Sequence, residues 1–191
     1  MKTLKTCKFR RALFVGRFQP FHLGHLEAVK SIMQKAEELV IAIGSAQYSY
    51  ELINPFTGGE RLTMIRLALN EAKVDPARYL IVPIPDIHRP PMWVTWVVLL
   101  AGHFDVVFSN EPVTARVFKE KGYKVEPIPP YRPELHSSSE IRKRIQADEN
   151  WKDCVPKSVA SYIESINGVA RLKDLQKTEI SENPHSINLY F

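Results

Sequence analysis

Ala12-Leu13-Phe14-Val15-Gly16-Arg17-Phe18-Gln19-Pro20-Phe21-His22-Leu23-Gly24-His25 is the stretch on which the reading of this chain turns. Residues 12–15 are a short apolar run compatible with a β-strand, and Leu26, Val29, Ile32 and Met33 then recur at spacings that share one helical face. The residues between them form a strand-loop-helix corner. Backbone N–H groups and the positive end of the helix dipole collect at such a corner, so it attracts phosphate before any side chain is considered. Arg17, His22 and His25 add side-chain donors, and Gly16 and Gly24 either let backbone approach a nucleotide or simply make the turn.

Working outward, periodicity predicts strands near 12–15, 39–43, 79–84, 104–108 and 123–126, and helices near 24–37, 57–72, 92–101, 112–121, 137–147 and 155–166. Strands alternating with helices imply right-handed crossovers, and hence an α/β fold with a doubly wound parallel sheet carrying helices on both faces and further helices at its C-terminal end. Such sheets bind ligands beyond the carboxyl ends of their strands, where the main polar motifs of this chain fall. One of them, Ser137-Ser138-Ser139-Glu140-Ile141-Arg142, opens a helix. Ser137 and Glu140 have the spacing of a capping box, and a capped N-terminus with extra hydroxyls and an arginine on its first turn is also an anion site. Residues 1–175 are read as one domain and 176–191 as a polar tail with little packing, ending in Ile187-Asn188-Leu189-Tyr190-Phe191, which is similar to part of a protease-tag sequence.

Bulk properties set limits. The chain has 191 residues, 45% of them hydrophobic and 25% charged, the balance of an ordinary globular domain. A net charge of +5 and a pI near 9.2 suit an anionic ligand, and no lysine or arginine run marks a nucleic-acid tract, so no nucleic-acid partner is expected. Cys7 and Cys154 lie far apart without a CxxC spacing, which fits free thiols in a reducing cytoplasm. Met92 to Ala101 is too short to span a bilayer and reads as a buried helix, so no membrane association is expected. His88, His103, His136 and His185 are scattered, and no protein-held metal is expected.

Two motifs together resemble a family. His22-Leu23-Gly24-His25 matches the HxGH signature of the nucleotidyltransferase superfamily, and its longer form from Gly16 is similar to the archaeal-type nicotinamide-mononucleotide (NMN) adenylyltransferases. Ser137 to Arg142 resembles the family's second signature, with Ser139 where Thr is more usual. Ile43-Gly44-Ser45-Ala46-Gln47, Asn54 to Arg61, Pro83-Ile84-Pro85-Asp86-Ile87 and Trp93 extend the likeness over about residues 10–175. Two segments depart from it. Pro90 stands where relatives carry Asn, and Ser109-Asn110-Glu111 replaces a Ser/Thr-Gly/Asn-Asn ending, bringing a negative charge close to the expected nucleotide.

The resemblance implies a Rossmann-like nucleotidyltransferase fold and a direct attack of the NMN phosphate on the α-phosphorus of ATP, giving NAD and pyrophosphate. It implies catalytic roles for His22, His25, Arg17 and Arg142, and an ATP site built from these with Gly16, Phe18, Gly24, Ser137, Ser138 and Ser139. For NMN it implies Gly44, Ser45, Asp86, Ile87 and Trp93, whose ring stacks on the pyridinium or else packs in the core. Mg²⁺ is expected through the ATP phosphates, and the family is often a homo-oligomer, commonly a hexamer. A second enzyme reading is another HxGH nucleotidyltransferase such as one using phosphopantetheine, but those usually carry Thr-Phe-Asp-Pro where this chain has Arg17-Phe18-Gln19-Pro20. A reading from another class is a non-catalytic nucleotide-binding sensor, which has no need of His22, His25 and Arg142 together.

Overall fold

A computed structural model describes residues 7–87, 89–129, 131 and 137–182. Its centre is a five-stranded parallel sheet of β1 (Phe9–Gly16), β2 (Ala36–Ile43), β3 (Tyr79–Pro83), β4 (Val106–Phe108) and β5 (Lys124–Glu126), in the order β3-β2-β1-β4-β5. The chain winds outward from β1 to β3, then returns to lay β4 on the other side of β1. The topological switch point therefore falls between β1 and β4, where a doubly wound sheet leaves a crevice.

Helices cover both faces, as the alternating elements predict. Ala12 and Phe14 of β1 point into a core shared with α1 (Leu23–Met33), α2 (Gly58–Glu71), α5 (Ser138–Gln146), α6 (Lys157–Ser165) and α7 (Gly168–Glu182). Leu13, between them, belongs to the opposite core with Val94 and Val97 of α3 (Pro90–Ala101) and Val117 and Phe118 of α4 (Pro112–Glu120). The period of two along the strand thus assigns each side chain to its layer.

Four boundaries differ from those the sequence predicts. Ala36 and Glu37, expected at the end of the first helix, begin β2 instead: α1 stops at Met33, and Phe9 pairs with Ala36. Parallel pairing has overridden good helix propensity. Phe104 and Asp105 lie before β4, not in it, because the Asp105 carboxylate accepts the backbone N–H groups of Arg10 and Arg11 at 3.0 and 2.8 Å in place of a ladder. The helix expected at 155–166 is present as α6, and after Asn167, whose φ is 54°, a further helix follows that the periodicity does not predict, α7.

The fourth difference lies at the start of the tail. Residues 176–182 continue α7 to Glu182. Leu172 anchors this helix in the core, Lys173 pairs with Asp148, and Lys177 reaches back to Asp174 at 3.2 Å. Residues 183–191, including the tag-like ending, lie outside the described residues, as do His88, His136 and His185.

Candidate active site

The corner after β1 is built by its own histidines. His22 is the N-cap of α1 with extended backbone, and its Nδ1 accepts the His25 N–H while the His25 Nδ1 accepts the His22 N–H, both at 3.3 Å. This is a capping box made from imidazoles. The two rings stack with centroids 3.6 Å apart. Because each Nδ1 is an acceptor, a neutral ring carries its proton on Nε2, so the pair offers two N–H donors. His25 is enclosed by Phe18 and Phe21, with ring centroids at 4.8 and 5.4 Å. Burial, reinforced by the charge of His22, holds its pKa well below the ordinary histidine value.

Phe18 explains Gly16. Phe18 is buried at φ 53°, and a Cβ on Gly16 would stand 2.8 Å from its ring. The glycine is required by packing inside the motif, whether or not nucleotide comes near. Gly24 occupies the first turn of α1 in ordinary helical conformation.

The second motif docks onto the first. Ser137 caps α5 by accepting the Glu140 N–H at 3.1 Å, whereas the Glu140 carboxylate turns to Arg144 at 3.2 Å, so only half of the expected capping box forms. Ser138 Oγ donates to the Pro20 carbonyl at 3.1 Å, and Arg142 Nη1 donates to the Gln19 carbonyl at 2.9 Å. Ser139 is exposed. Gln19 is itself buried, its side-chain amide pairing with both backbone groups of Phe56. Burial, and then the charge of Arg17, push Arg142 down to about 10.

Beyond the strand ends, at the switch point, lies an open cleft of about 430 Å³. Gly16 and Arg17 from the end of β1, Gly44 and Ser45 from the end of β2, Asp86 from the loop after β3 and Trp93 from α3 line it together. Ser45 Oγ donates to Asp86 at 2.6 Å, and the Gln47 side chain pairs with both backbone groups of Asp86 at 2.9 and 3.0 Å, extending the β2-β3 contact past the strands. Ile87 is half-buried and does not line the cleft. His22, His25, Arg142 and the serines sit at the motif corner, outside that lining. Trp93 lines the cleft and also meets Phe118 edge-on at 5.8 Å.

The departing segments find structural reasons. Pro90 opens α3, where its missing N–H is one that a helix start leaves unpaired anyway. Glu111 caps α4, its carboxylate accepting the N–H groups of Val113 and Thr114. Burial pushes its pKa up, but these hydrogen bonds outweigh that and leave it lowered. Glu111 lines the cleft and brings its negative charge to that wall.

Sequence reasoning assigned no role to Arg61, Gln19 or Arg89. Arg61 is fully buried, and the signal for it was available: it stands one turn before Met64 and Ile65 on the stripe that α2 buries. Among the described residues no group of three or more His, Cys, Asp or Glu side chains could hold a metal ion, and no helix is long and apolar enough to cross a membrane.

A cytidylyltransferase-like family model matches residues 13–144, from the first core residues of β1 through Arg142. The nicotinamide-nucleotide adenylyltransferase of Methanolobus tindarius is 47% identical over 170 residues, covering 89% of this chain and 96% of that protein. This chain belongs to the nicotinamide-nucleotide adenylyltransferase family. The family's enzyme from Pyrococcus horikoshii is 48% identical over 165 residues, covering 86% of this chain and 88% of its own. Among solved structures, the bifunctional NMN adenylyltransferase/ADP ribose pyrophosphatase of Francisella tularensis superposes with a TM-score of 0.76 at 20% identity, covering 96% of this chain. This chain spans 58% of that bifunctional protein, and the likeness is one of fold.

Proposed function

We propose that this member of the family transfers the adenylyl group of ATP to NMN. A phosphate oxygen of NMN attacks the α-phosphorus, the bond from that phosphorus to the bridging oxygen of the β-phosphate breaks, and pyrophosphate leaves with the electron pair. The nucleophile is already an anion, so no general base is required; the barrier lies in bringing two anions together and in the charge that builds on the α-phosphate and leaving group. Positioning and fixed donors answer that need.

The observation that carries this reading is the docking of α5 on the Gly16 to His25 corner through Ser138 and Arg142. Two helix N-termini and the two stacked imidazoles thereby converge on one loop, with Arg17 and Arg142 close enough for the first to depress the second. In this reading His25 and His22 donate to the triphosphate, with His25 at the reacting phosphate. Arg142, Ser137 and Ser139 hold the β and γ groups, and Arg17 neutralises charge between the two substrates. The cleft behind Arg17 receives NMN, with Trp93 against the pyridinium and Asp86 and Ser45 at the carboxamide and ribose. Mg²⁺ enters with ATP, held by phosphates and water, which suits a cation that keeps most of its hydration shell.

The test is direct. Purified protein with MgATP and NMN should form NAD and pyrophosphate in equal amounts, and phosphopantetheine in place of NMN should give no adenylylated product. Turnover with phosphopantetheine alone would select the competing enzyme reading, and ATP binding without either product would select the sensor.

A further inference from the structure

Among the described residues Arg61 is the largest fully buried side chain and has no carboxylate partner at hydrogen-bond distance. The adjacent Glu60 is taken by Arg171, with contacts of 2.7 and 2.8 Å. Arg61 instead gives all its donors to backbone carbonyls: Nε to Thr57 at 3.2 Å, Nη1 to Arg17 at 3.0 Å and Gly44 at 2.9 Å, and Nη2 to Ser45 at 3.0 Å and to Ala46 and Tyr48 at 3.3 Å. A buried cation whose hydrogen bonds all go to neutral carbonyls is costly, and burial and then Arg17 push the guanidinium down to about 10 against the opposing pull of the Asp86 and Glu60 charges. An apolar side chain in this helix position would leave these carbonyls without their donor. All but that of Thr57, the cap of its own helix, come from the loops after β1 and β2, which both line the cleft.

Those loops need holding. Ser45 has φ 51° and Tyr50 φ 58°, left-handed backbone that non-glycine residues keep only where surroundings over-determine it. The N-terminus of α2 presses on the same segment, since a Cβ on Gly58 would stand 2.9 Å from the Ala46 carbonyl. Arg17, from the phosphate corner, and Ser45, which carries Asp86, are therefore fixed relative to each other through one guanidinium.

We propose that Arg61 is a positioning residue for adenylyl transfer, holding the Arg17 loop and the Ser45 loop in one register and placing a positive charge behind the loops that line the cleft. The inference rests on the functional reading above. Its two components separate. The charge acts on any anion in the cleft, and lysine preserves it. The fan of hydrogen bonds sets the relative position of the two loops, and lysine, with three donors on a flexible stem, cannot reproduce it.

The test compares Arg61→Lys and Arg61→Met with the parent, assayed at a temperature where melting curves show each folded. For Arg61→Lys, kcat should fall at least tenfold while KM for ATP and NMN stays within threefold. For Arg61→Met, kcat should fall at least as far, and both KM values, with the ATP dissociation constant from calorimetry, should rise fivefold or more. A kcat within twofold of the parent in Arg61→Lys would overturn the proposal, as would an Arg61→Lys chain that does not fold, since Arg61 would then serve the core alone. If the parent itself makes no NAD, the functional reading fails. The anchoring role is then judged by ATP calorimetry alone, and an unchanged dissociation constant in Arg61→Met overturns it.

Discussion

At the scale of single residues, His25 decides most. Its ring is enclosed by phenylalanines and locked by the reciprocal bond with His22, and in the proposed reaction it serves as a preorganised neutral donor. His25→Ala should lower kcat roughly a hundredfold or more, the effect of about 2.7 to 4 kcal/mol seen when one such donor is removed, with a much smaller change in ATP affinity. Steady-state kinetics and ATP titration check this, and near-normal turnover would take His25 off the catalytic list. The same burial gives a pH signature without substrate. An unfolded histidine takes its proton near pH 6.5, whereas folded His25 does so only at lower pH. Between those values the unfolded state binds more protons, so stability is lost as pH falls through that window. Melting curves from pH 7.5 to 5 should therefore fall less steeply for His25→Ala than for the parent, the difference isolating His25 from the acidic groups that titrate in the same direction. Nothing in the sequence fixes this burial, because Phe14, Phe18 and Phe21 enclose the ring only through the left-handed turn at Phe18.

At the scale of elements, the site depends on how α5 and α3 are seated. Arg142 reaches the Gln19 carbonyl from α5, and a lysine can supply the charge but not a second parallel bond to phosphate. Arg142→Lys should weaken ATP binding while AMP, lacking the β and γ groups, binds much as before; equal losses for both would place Arg142 elsewhere. On α3, Trp93→Phe keeps an aromatic edge for Phe118 and narrows the face offered to the cleft. With a cation–π contribution of about 0.5 to 1 kcal/mol at stake, KM for NMN should rise about two- to fivefold with that for ATP unchanged. Parallel increases in both would assign the ring to packing. Both motifs were legible as helix starts from Ser137 and from the His22 corner, but their contact was not, since Ser138 and Pro20 meet across 118 positions of chain. The start of β2 was hidden for the same reason: Ala36 and Glu37 favour helix until Phe9 pairs with them. Arg61 lay in plain view on a helical stripe, but an isolated charge there says nothing of the carbonyls it gathers.

At the scale of the whole molecule, strand order sorts charge across the switch point. The loops after β1 and β2 bring Arg17 and, beneath them, Arg61; the loops after β3 and β4 bring Asp86 and Glu111. The alternation of strands and helices was enough to foretell a cleft beyond the carboxyl ends, but not which loops face each other across it, because that depends on β4 returning to the side of β1. The resulting polarity suits NMN, an anionic phosphate joined to a cationic ring with a neutral amide. The acid analogue, nicotinic acid mononucleotide, adds a carboxylate at the end where Asp86 and Glu111 lie, with Arg89 the opposing charge on the lining. Glu111 is held ionised by the N–H groups of its own helix, each carboxylate oxygen accepting one, and Glu111→Gln removes the charge while its single amide oxygen keeps one of the two capping bonds. For a partly exposed charge screened by solvent the expected effect is about 0.5 to 1 kcal/mol, or roughly two- to fivefold. Glu111→Gln should shift the ratio of kcat/KM for NMN over that for the acid analogue by this factor toward the acid, and about 0.5 M salt should shrink the difference between variant and parent, since it shortens the Debye length from about 10 Å at 0.1 M to roughly 4 Å. An unchanged ratio at low salt would mean that Glu111 serves α4 alone and that Arg89 and the backbone set the choice between amide and acid.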